Sequence, residues 1–512
     1  MNTCIFYTYA YNAKKTIARA IESVLAQTEL NWVWYLLDNA ATDGTGKIIE
    51  QYASKDSRIN ALRNKQNHVH EKGNSWAEII GNYDDSDYLC FLDADDEYKP
   101  NFLTNMVRFI SNYDLDVVAC GNDYIDETNK NLLGIRKLDH NLILDSPAMF
   151  GTYFPTYHQF MRTVWCKLYK VSVLRKFDFS RMPNIHYGYD TLFAIENFRN
   201  ASRVGILADS LHKYYVYPRS SSHQLDATRM TCDRILDDTA RAFLIDKCGA
   251  ISPQNHQFLQ LVYYNGIIDT IVVLLHVTLS HHSKLRNLFD LLTHKKTKEL
   301  FQQSDIPDEE LDVKLRTPVV KWLLAQKKYR NLNSAEMTVE ILVAIYPHLS
   351  PFIKKEALEY VLLKMPDMIP SILRKDYNRM IERFQYWTKN RDVDEPLLTE
   401  MEIMAYRAVN KPDDQLFLLF LDIKKKRPLS SEKLKIDTQL ANLLTKYPLL
   451  QNVSAELVAI FSQTVCWIIK GDLSRAFDEF VSTSQHSEIL HTETEAYIML
   501  RQKLSAAVGD SC

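Results

Sequence analysis

At 512 residues, 46% hydrophobic and 24% charged, the chain has globular composition and exceeds what one core organises, since single cores stop growing near ~250–300 residues. Its 61 basic and 64 acidic residues leave a formal charge of -3, which excludes a global electrostatic drive toward nucleic acid or an anionic membrane. The eight cysteines are scattered without a CxxC pair, so they read as reduced and mostly buried, with neither a disulfide framework nor a thiolate metal site.

In chain order, MNTCIFYTYAYN enters a strand pattern at once and shows no basic segment of the kind a signal peptide carries, so a cytoplasmic protein is expected. Apolar runs at 4–9, 32–37, 88–92 and 116–120 alternate with helix-period segments at 14–26, after Asp43-Gly44, and at 100–111. This is βαβ grammar, and it predicts a Rossmann-like parallel sheet covered by helices, with ligands at the carboxyl ends of the strands. From about residue 227 the pattern changes to apolar positions at i, i+3, i+4 and i+7, as in 258–279, 336–345 and 443–469. Breaks at Ser252-Pro253, Thr317-Pro318, Tyr346-Pro347, Met365-Pro366 and Arg427-Pro428 divide it into helices. The apolar run around 271–279 is bounded by Asp269 and His281-His282, short of the ~20 residues of a membrane span, so no transmembrane segment is expected.

Two strand ends carry chemistry. Leu36-Leu37-Asp38-Asn39-Ala40-Ala41-Thr42-Asp43-Gly44-Thr45 ends an apolar strand in a carboxylate, with Thr42 or Asp43 placed to cap the next helix. Asp38 is a candidate acceptor for a uracil N3–H or a ribose hydroxyl, or an Asx-turn residue that satisfies loop amides. Phe91-Leu92-Asp93-Ala94-Asp95-Asp96-Glu97 then crowds carboxylates after a fully apolar strand with no neighbouring cation. Such crowding raises the cost of ionisation unless a hard divalent ion is shared with a diphosphate; the plain alternative is a solvated acidic turn before a helix.

The order of these segments resembles the inverting family 2 glycosyltransferases of the GT-A fold. Their PxYNxxxxLxxxIxSxLxQT, VDDGSTDxT and FLDxDDxxxP motifs are matched by Tyr11-Asn12 with 21–28, by 38–45, and by 91–100. The likeness resumes at Val164-Trp165-Cys166-Lys167-Leu168-Tyr169-Lys170, at His186-Tyr187-Gly188-Tyr189-Asp190, and from Tyr214-Tyr215 to Ser222, resembling WNKLY, GEDxxF and YYxRxxxxS. The resemblance implies an α/β GT-A domain with a mixed, mostly parallel sheet over 1–225, followed by an all-α region over 226–512. It implies a UDP-sugar donor held by Tyr9, Tyr11, Asn12, Asp38, Asp93, Ala94, Lys167 and Arg219, a Mn²⁺ or Mg²⁺ ion on Asp93 and Asp95, and Asp190 as the base. His212 and His223 are weaker candidates for the metal shell. Three departures stand out: Asn39 replaces the second Asp of VDDGS, Ala40 its Gly, and Tyr189 the Glu of the ED pair, while 73–77 replaces a SAARN-like segment.

The helical region admits three roles: recognition of a protein acceptor such as a flagellin or adhesin, homo-oligomerisation, or peripheral docking at the inner face of a membrane where glycans grow. Protein-modifying members of the family resemble this arrangement, which favours the first by analogy. Construction of a cell-surface polysaccharide, or a catalytically inactive binding module, are the alternatives. Basic runs at 295–298 and 424–427 read as solvated helix ends.

Overall fold

The computed structural model describes residues 2–67, 75–217, 225, 228–303, 305–325, 332–349, 353–390, 396–409, 447, 449, 462–469, 472–485 and 495–509. Two compact units divide the chain, Met1–Val319 and Val320–Cys512.

The first unit opens with β1 (Cys4–Ala10), α1 (Ile17–Leu25), β2 (Trp32–Asp38), α2 (Thr45–Ala53) and β3 (Ile59–Arg63). There follow α3 (Ser75–Ile79), β4 (Tyr88–Phe91), β5 (Glu97–Tyr98), α4 (Phe102–Asn112), β6 (Val117–Asp126), β7 (Leu132–Arg136) and β8 (Leu142–Leu144). α5 (Pro147–Thr152), α6 (Phe154–Tyr157), β9 (Lys167–Lys170), α7 (Val171–Leu174), α8 (Tyr189–Asn200) and β10 (Val204–Val216) complete the α/β part. The sheet runs β3-β2-β1-β4-β9-β6-β10-β5, with β7 on β6 and β8 on β10. β1, β2, β3 and β4 are mutually parallel, β9 is antiparallel to β4 and β6, and β10 is parallel to β6. The expected mixed, mostly parallel sheet is present, with six strands more than the four legible apolar runs.

Side chains alternate across β1 because successive residues point to opposite faces: Cys4 and Phe6 enter one core with Ile17, Ile21, Val24 and Phe102, whereas Ile5 and Tyr7 enter the other with Leu89, Phe193 and Phe198. Burial on both faces explains why these strands read as unbroken apolar runs. Ala10 pairs with Asp38 and Tyr7 with Phe91 across the parallel ladder, so the carboxyl ends of β1, β2 and β4 share one edge.

Helices begin at α9 (Arg229–Cys248), close to where the hydrophobic period changes, and continue with α10 (Pro253–His276), α11 (His281–Leu292) and α12 (Lys295–Gln303). The expected division at 225/226 marks the change of secondary structure, but the compact unit extends to Val319. The reason is packing: Ala240, Phe243 and Leu244 of α9 and Leu259 of α10 belong to the same core as Leu89 and Phe193. Gly266 lets α9 and α10 close, since a Cβ there would lie 2.6 Å from Asp233 Oδ1. A fragment ending near residue 230 is therefore expected to be lost as soluble protein, whereas one ending at Val319 should fold. Each of Phe243, Leu244 and Leu259 contributes ~1.5–3 kcal/mol by burial, against a total stability of ~5–15 kcal/mol. Expression and thermal melting of the two fragments decide this; a folded 1–230 fragment would refute the shared core.

α10 differs from the sequence expectation in length. Ser252 caps it by accepting the Asn255 N–H at 3.2 Å, with Pro253 in the first turn, so its 24 residues include a polar start that periodicity does not register. By length and composition it is long and apolar enough to cross a membrane. Its polar side chains nevertheless bond to protein on several sides: Asn255 to the Gly151 carbonyl, Tyr263 to Thr297, Tyr264 to the Glu310 carbonyl, and Thr270 to Asp233. These contacts seat it as a core helix of the first unit. Thr317-Pro318 is not a break, because a helical run is continuous through Asp308–Leu311, Asp312–Arg316 and Thr317–Ala325. The π segment Asp312–Arg316 directly precedes Pro318, a widened turn of the kind that accommodates a proline inside a helical run.

The described elements of the second unit are helical, including Leu332–Ile345, Lys355–Lys364, Tyr377–Asn390, Pro396–Val409, Ser462–Ile469, Leu473–Gln485 and Glu495–Gly509. The basic run at 424–427 and the Arg427-Pro428 break lie outside the described residues.

Candidate active site

Beyond the last paired residue of β4 the chain stays fastened to β1: Leu92 N–H donates to the Tyr7 carbonyl at 3.1 Å, and Thr8 Oγ1 donates to the Leu92 carbonyl at 2.7 Å. The next four residues then turn sharply and gather carboxylates. Ligand oxygens of Asp93, Asp95 and Asp96 lie within 4.8 Å of one another. Asp96 is 1% exposed; its Oδ1 accepts the Tyr215 N–H at 2.9 Å, and its Oδ2 has no hydrogen-bond partner among the described residues. Burial, followed by the charges of Asp96, Asp95 and Asp190, pushes the Asp93 carboxyl well above the usual range. Burial and then Asp95 do the same to Asp96, while Asp95 is raised by burial and pulled back by its own backbone N–H and then by Arg19. Three oxygen donors that repel one another, one with an orphaned buried oxygen, fit a hard divalent cation.

His212 lies within β10. It is fully buried, stacked on Trp165 at 4.6 Å, with Nε2 3.3 Å from Asp96 Oδ2. Burial, then Arg136, pushes its pKa down to about 3, so the ring facing Asp96 is neutral. Asn122, its cross-strand partner on β6, is buried with both amide atoms lacking a hydrogen-bond partner among the described residues.

Arg19 is a residue that the sequence reading missed. From the first turn of α1 its guanidinium donates to Glu127 at 3.1 Å and to the Asp95 carbonyl, lies 3.5 Å from Glu97, and stacks 3.6 Å over the Tyr215 ring. It ties the acidic turn to the ends of β6 and β10. The available signal was a cation in a helix's first turn, where acids are favoured.

At the end of β2, Asp38 is 2% exposed. Its Oδ1 accepts the Ala41 N–H at 2.8 Å and its Oδ2 lies 3.5 Å from Arg63 Nε, so the Asx-turn role is real. Gly46 is required beside it, because a Cβ there would come within 2.2 Å of Oδ2. Ala40 sits at φ 58°, a left-handed geometry that the family's glycine adopts without strain. Asn39 exchanges side-chain amide bonds with Asn64 and Asn67. Neither Thr42 nor Asp43 is the N-cap of α2; Gly44 is, and Asp43 accepts from the Thr45 N–H and hydroxyl just ahead of the helix.

Among the residues expected on the donor, Asn12 uses its Oδ1 to accept the Thr42 N–H at 2.9 Å, clasping the loops after β1 and β2 together. Tyr9 is half-buried, Tyr11 is 48% exposed at the same edge, and Ala94 is buried within the acidic turn. Lys167 is not a solvated cation: it is 1% exposed, and its ammonium donates to Thr163 O, Thr163 Oγ1 and Trp165 O. Burial lowers its pKa to about 7. Arg219 and His223 lie outside the described residues.

Asp190 is the second residue of α8, whose N-cap is Gly188 at φ 85°; Asp190 is not the cap. A Cβ on Gly188 would lie 2.7 Å from Leu236 of α9, and Arg229 of α9 stacks 3.2 Å over Tyr187, so the helical region moulds this loop. The Asp190 residue is exposed, yet protein mass surrounds its carboxyl and raises its pKa to about 6, with Lys167 opposing. Water reaching the group screens it, so about 6 is the upper end of that shift. The charges of Asp190 and Asp93 act on one another, which brings the base candidate to the acidic turn.

The mixed sheet thus carries an acidic turn at the carboxyl end of β4, a second carboxylate at the end of β2 and a third on α8. Residues 6–177 match the family model described as Glycosyl transferase family 2. The chain is 25% identical over 211 residues to the uncharacterized glycosyltransferase EpsJ of Bacillus subtilis, covering 41% of this chain and 60% of that protein. It is 25% identical over 215 residues to the uncharacterized glycosyltransferase YibD of Escherichia coli, covering 41% and 61%. It is 22% identical over 222 residues to the poly(ribitol-phosphate) beta-N-acetylglucosaminyltransferase TarS of Staphylococcus aureus, covering 42% and 36%. The solved structure of TarS residues 1–349 with UDP-GlcNAc overlays at a TM-score of 0.39 and 15% identity, over 74% of this chain and 92% of that one. The chain thus spans about 60% of the length of the first two relatives. The likeness to the family 2 glycosyltransferases lies in the N-terminal α/β part, over residues 6–177.

Proposed function

We propose that the chain transfers a sugar from a nucleotide sugar, a UDP-sugar by preference, to an acceptor hydroxyl with inversion at the anomeric carbon. The observation that supports this reading is the cluster of Asp93, Asp95 and Asp96 after β4, with the charge of Asp190 on α8 acting on Asp93. Asp93 and Asp95 would hold Mn²⁺ or Mg²⁺, with Asp96 and the neutral His212 behind them. The ion supplies charge neutralisation for the diphosphate leaving group. Asp190 takes the proton from the acceptor hydroxyl as that oxygen bonds to the anomeric carbon and the bond to the diphosphate breaks on the opposite face. Arg19 holds the acidic turn in place, and Asp38 accepts the uracil N3–H through the oxygen that the Ala41 amide does not use.

The test is a nucleotide-sugar screen by thermal shift and by donor hydrolysis, with Mn²⁺ and with EDTA. Metal-dependent hydrolysis of a UDP-sugar is expected; a preference for GDP or dTDP would refute the uracil assignment, and no turnover with any donor would support a binding module instead. Asp38→Asn is the sharper variant, because asparagine keeps the acceptor for the Ala41 amide and loses the one for uracil. It should weaken UDP by roughly tenfold, the value of one charge-assisted hydrogen bond, with metal affinity unchanged by calorimetry.

For the acceptor, analogy with protein-modifying members of the resembled family favours a protein such as a flagellin or adhesin. TarS is named for a poly(ribitol-phosphate) acceptor, and this supports the second reading, assembly of a cell-surface polysaccharide. Transfer assays with a peptide and with a polyol-phosphate acceptor separate the two.

A further inference from the structure

α9, α10 and α12 line an open cleft of about 490 Å³, within the range of small-ligand sites. Its charged lining includes Arg234, Arg241, Lys295 and Lys296, with His256 and His294 between them, against Asp238 and Glu299. Two of the cations are fixed parts of the wall. Arg241 Nε lies 2.6 Å from Asp237, with Nη1 3.0 Å from His256 Nδ1, and Lys296 is paired with Asp237 and Asp238. A Tyr263–Thr297 hydroxyl bond of 3.0 Å joins α10 to α12 across the base. The other two cations are available. Arg234 has no carboxylate within ion-pair distance among the described residues, and Lys295, 87% exposed, reaches Glu299 only at 3.8 Å. The amino end of α12, where the Lys296 N–H already donates to His294 Nδ1 at 3.3 Å, adds the positive end of its dipole. Burial and then Arg234 lower the pKa of His294, in keeping with the positive field there.

We infer that this cleft is a second ligand site, separate from the acidic turn, that takes a phosphate group on a sugar-sized ligand. Arg234 offers a fork of donors matched to phosphate oxygens, Lys295 closes over it as a mobile charge, and Arg241 and Lys296 set the field. The basic run at 295–298 thereby acquires a partner that a solvated helix end lacks. A free sugar phosphate and a phosphodiester-linked chain both carry this group, and the probes distinguish them.

Calorimetry on the full chain, with the donor site saturated by UDP and Mn²⁺, would use inorganic phosphate, glucose 1-phosphate and a short glycerol-phosphate oligomer. Glucose 1-phosphate should bind more tightly than phosphate, and a tighter oligomer would identify the chain as the source. The double variant Arg234→Gln, Lys295→Gln should weaken binding about tenfold or more at unchanged melting temperature, whereas Arg286→Gln on α11 should leave it within about twofold. Asp238→Asn, which removes a repelling carboxylate from the lining, should tighten it. Binding retained in the double variant, no tightening by Asp238→Asn, or no heat with any of the three probes would overturn the site.

Discussion

Asp190→Asn is expected to lower turnover by at least ~100-fold while donor affinity stays within a few-fold and the melting temperature moves by no more than a few degrees. The stability half of this result follows from the helix geometry. Gly188 is the N-cap, so the substitution removes no cap; it removes only an acidic first-turn charge worth about 0.3–1 kcal/mol. The raised pKa acts in the opposite direction. A carboxyl at about 6 in the fold and 3.8 as its ordinary value is disfavoured when ionised, so it contributes stability only as pH falls through about 6 toward 3.8, and none is lost at neutral pH by its removal. The rate half follows from chemistry: asparagine accepts a hydrogen bond but cannot carry away a proton. The same pKa sets a pH profile, in which activity falls as pH drops through about 6 or slightly below, because the protonated carboxyl is no base. Near-native turnover of Asp190→Asn on a confirmed acceptor would place the base elsewhere.

The second large effect is expected at Asp95. In the native chain UDP should raise the melting temperature strongly with Mn²⁺ or Mg²⁺ and little in EDTA; a ligand at 100 times its dissociation constant contributes about 2.7 kcal/mol. Asp95→Asn should abolish that metal-dependent increment and lower sugar transfer by ~100-fold or more. Without ligands the variant should be at least as stable as the native chain at pH 7. Burial raises the Asp95 carboxyl, so its ionised form costs stability once pH exceeds its ordinary value, and the neutral amide removes that cost. Equal stabilisation by UDP in EDTA would end the metal assignment, and unfolding of the variant would make Asp95 a structural residue.

The sequence by itself determined β1, β2, β4 and the start of β6, because strands buried on both faces are written as continuous apolar runs, and it determined the acidic turn, because carboxylates follow such a run directly. It also placed the change to helices near residue 227, Asp38 at the end of a strand and Asp190 at a helix start. What it did not contain is every feature whose partner is distant in the chain. β10 reads VGILADSLHKYYV, and its Asp209, Ser210 and His212 break the apolar pattern; they are accommodated by Asn105, Asp123 and Asp96, about a hundred residues away. Arg19 has meaning only through Glu97, Glu127 and Tyr215. Lys167, expected on the diphosphate, is instead enclosed by Thr163 and Trp165 once β9 enters the sheet between β4 and β6. The domain limit moved for the same reason: periodicity reports which face of α9 is apolar, while only packing shows that this face covers the sheet and supports the Asp190 loop.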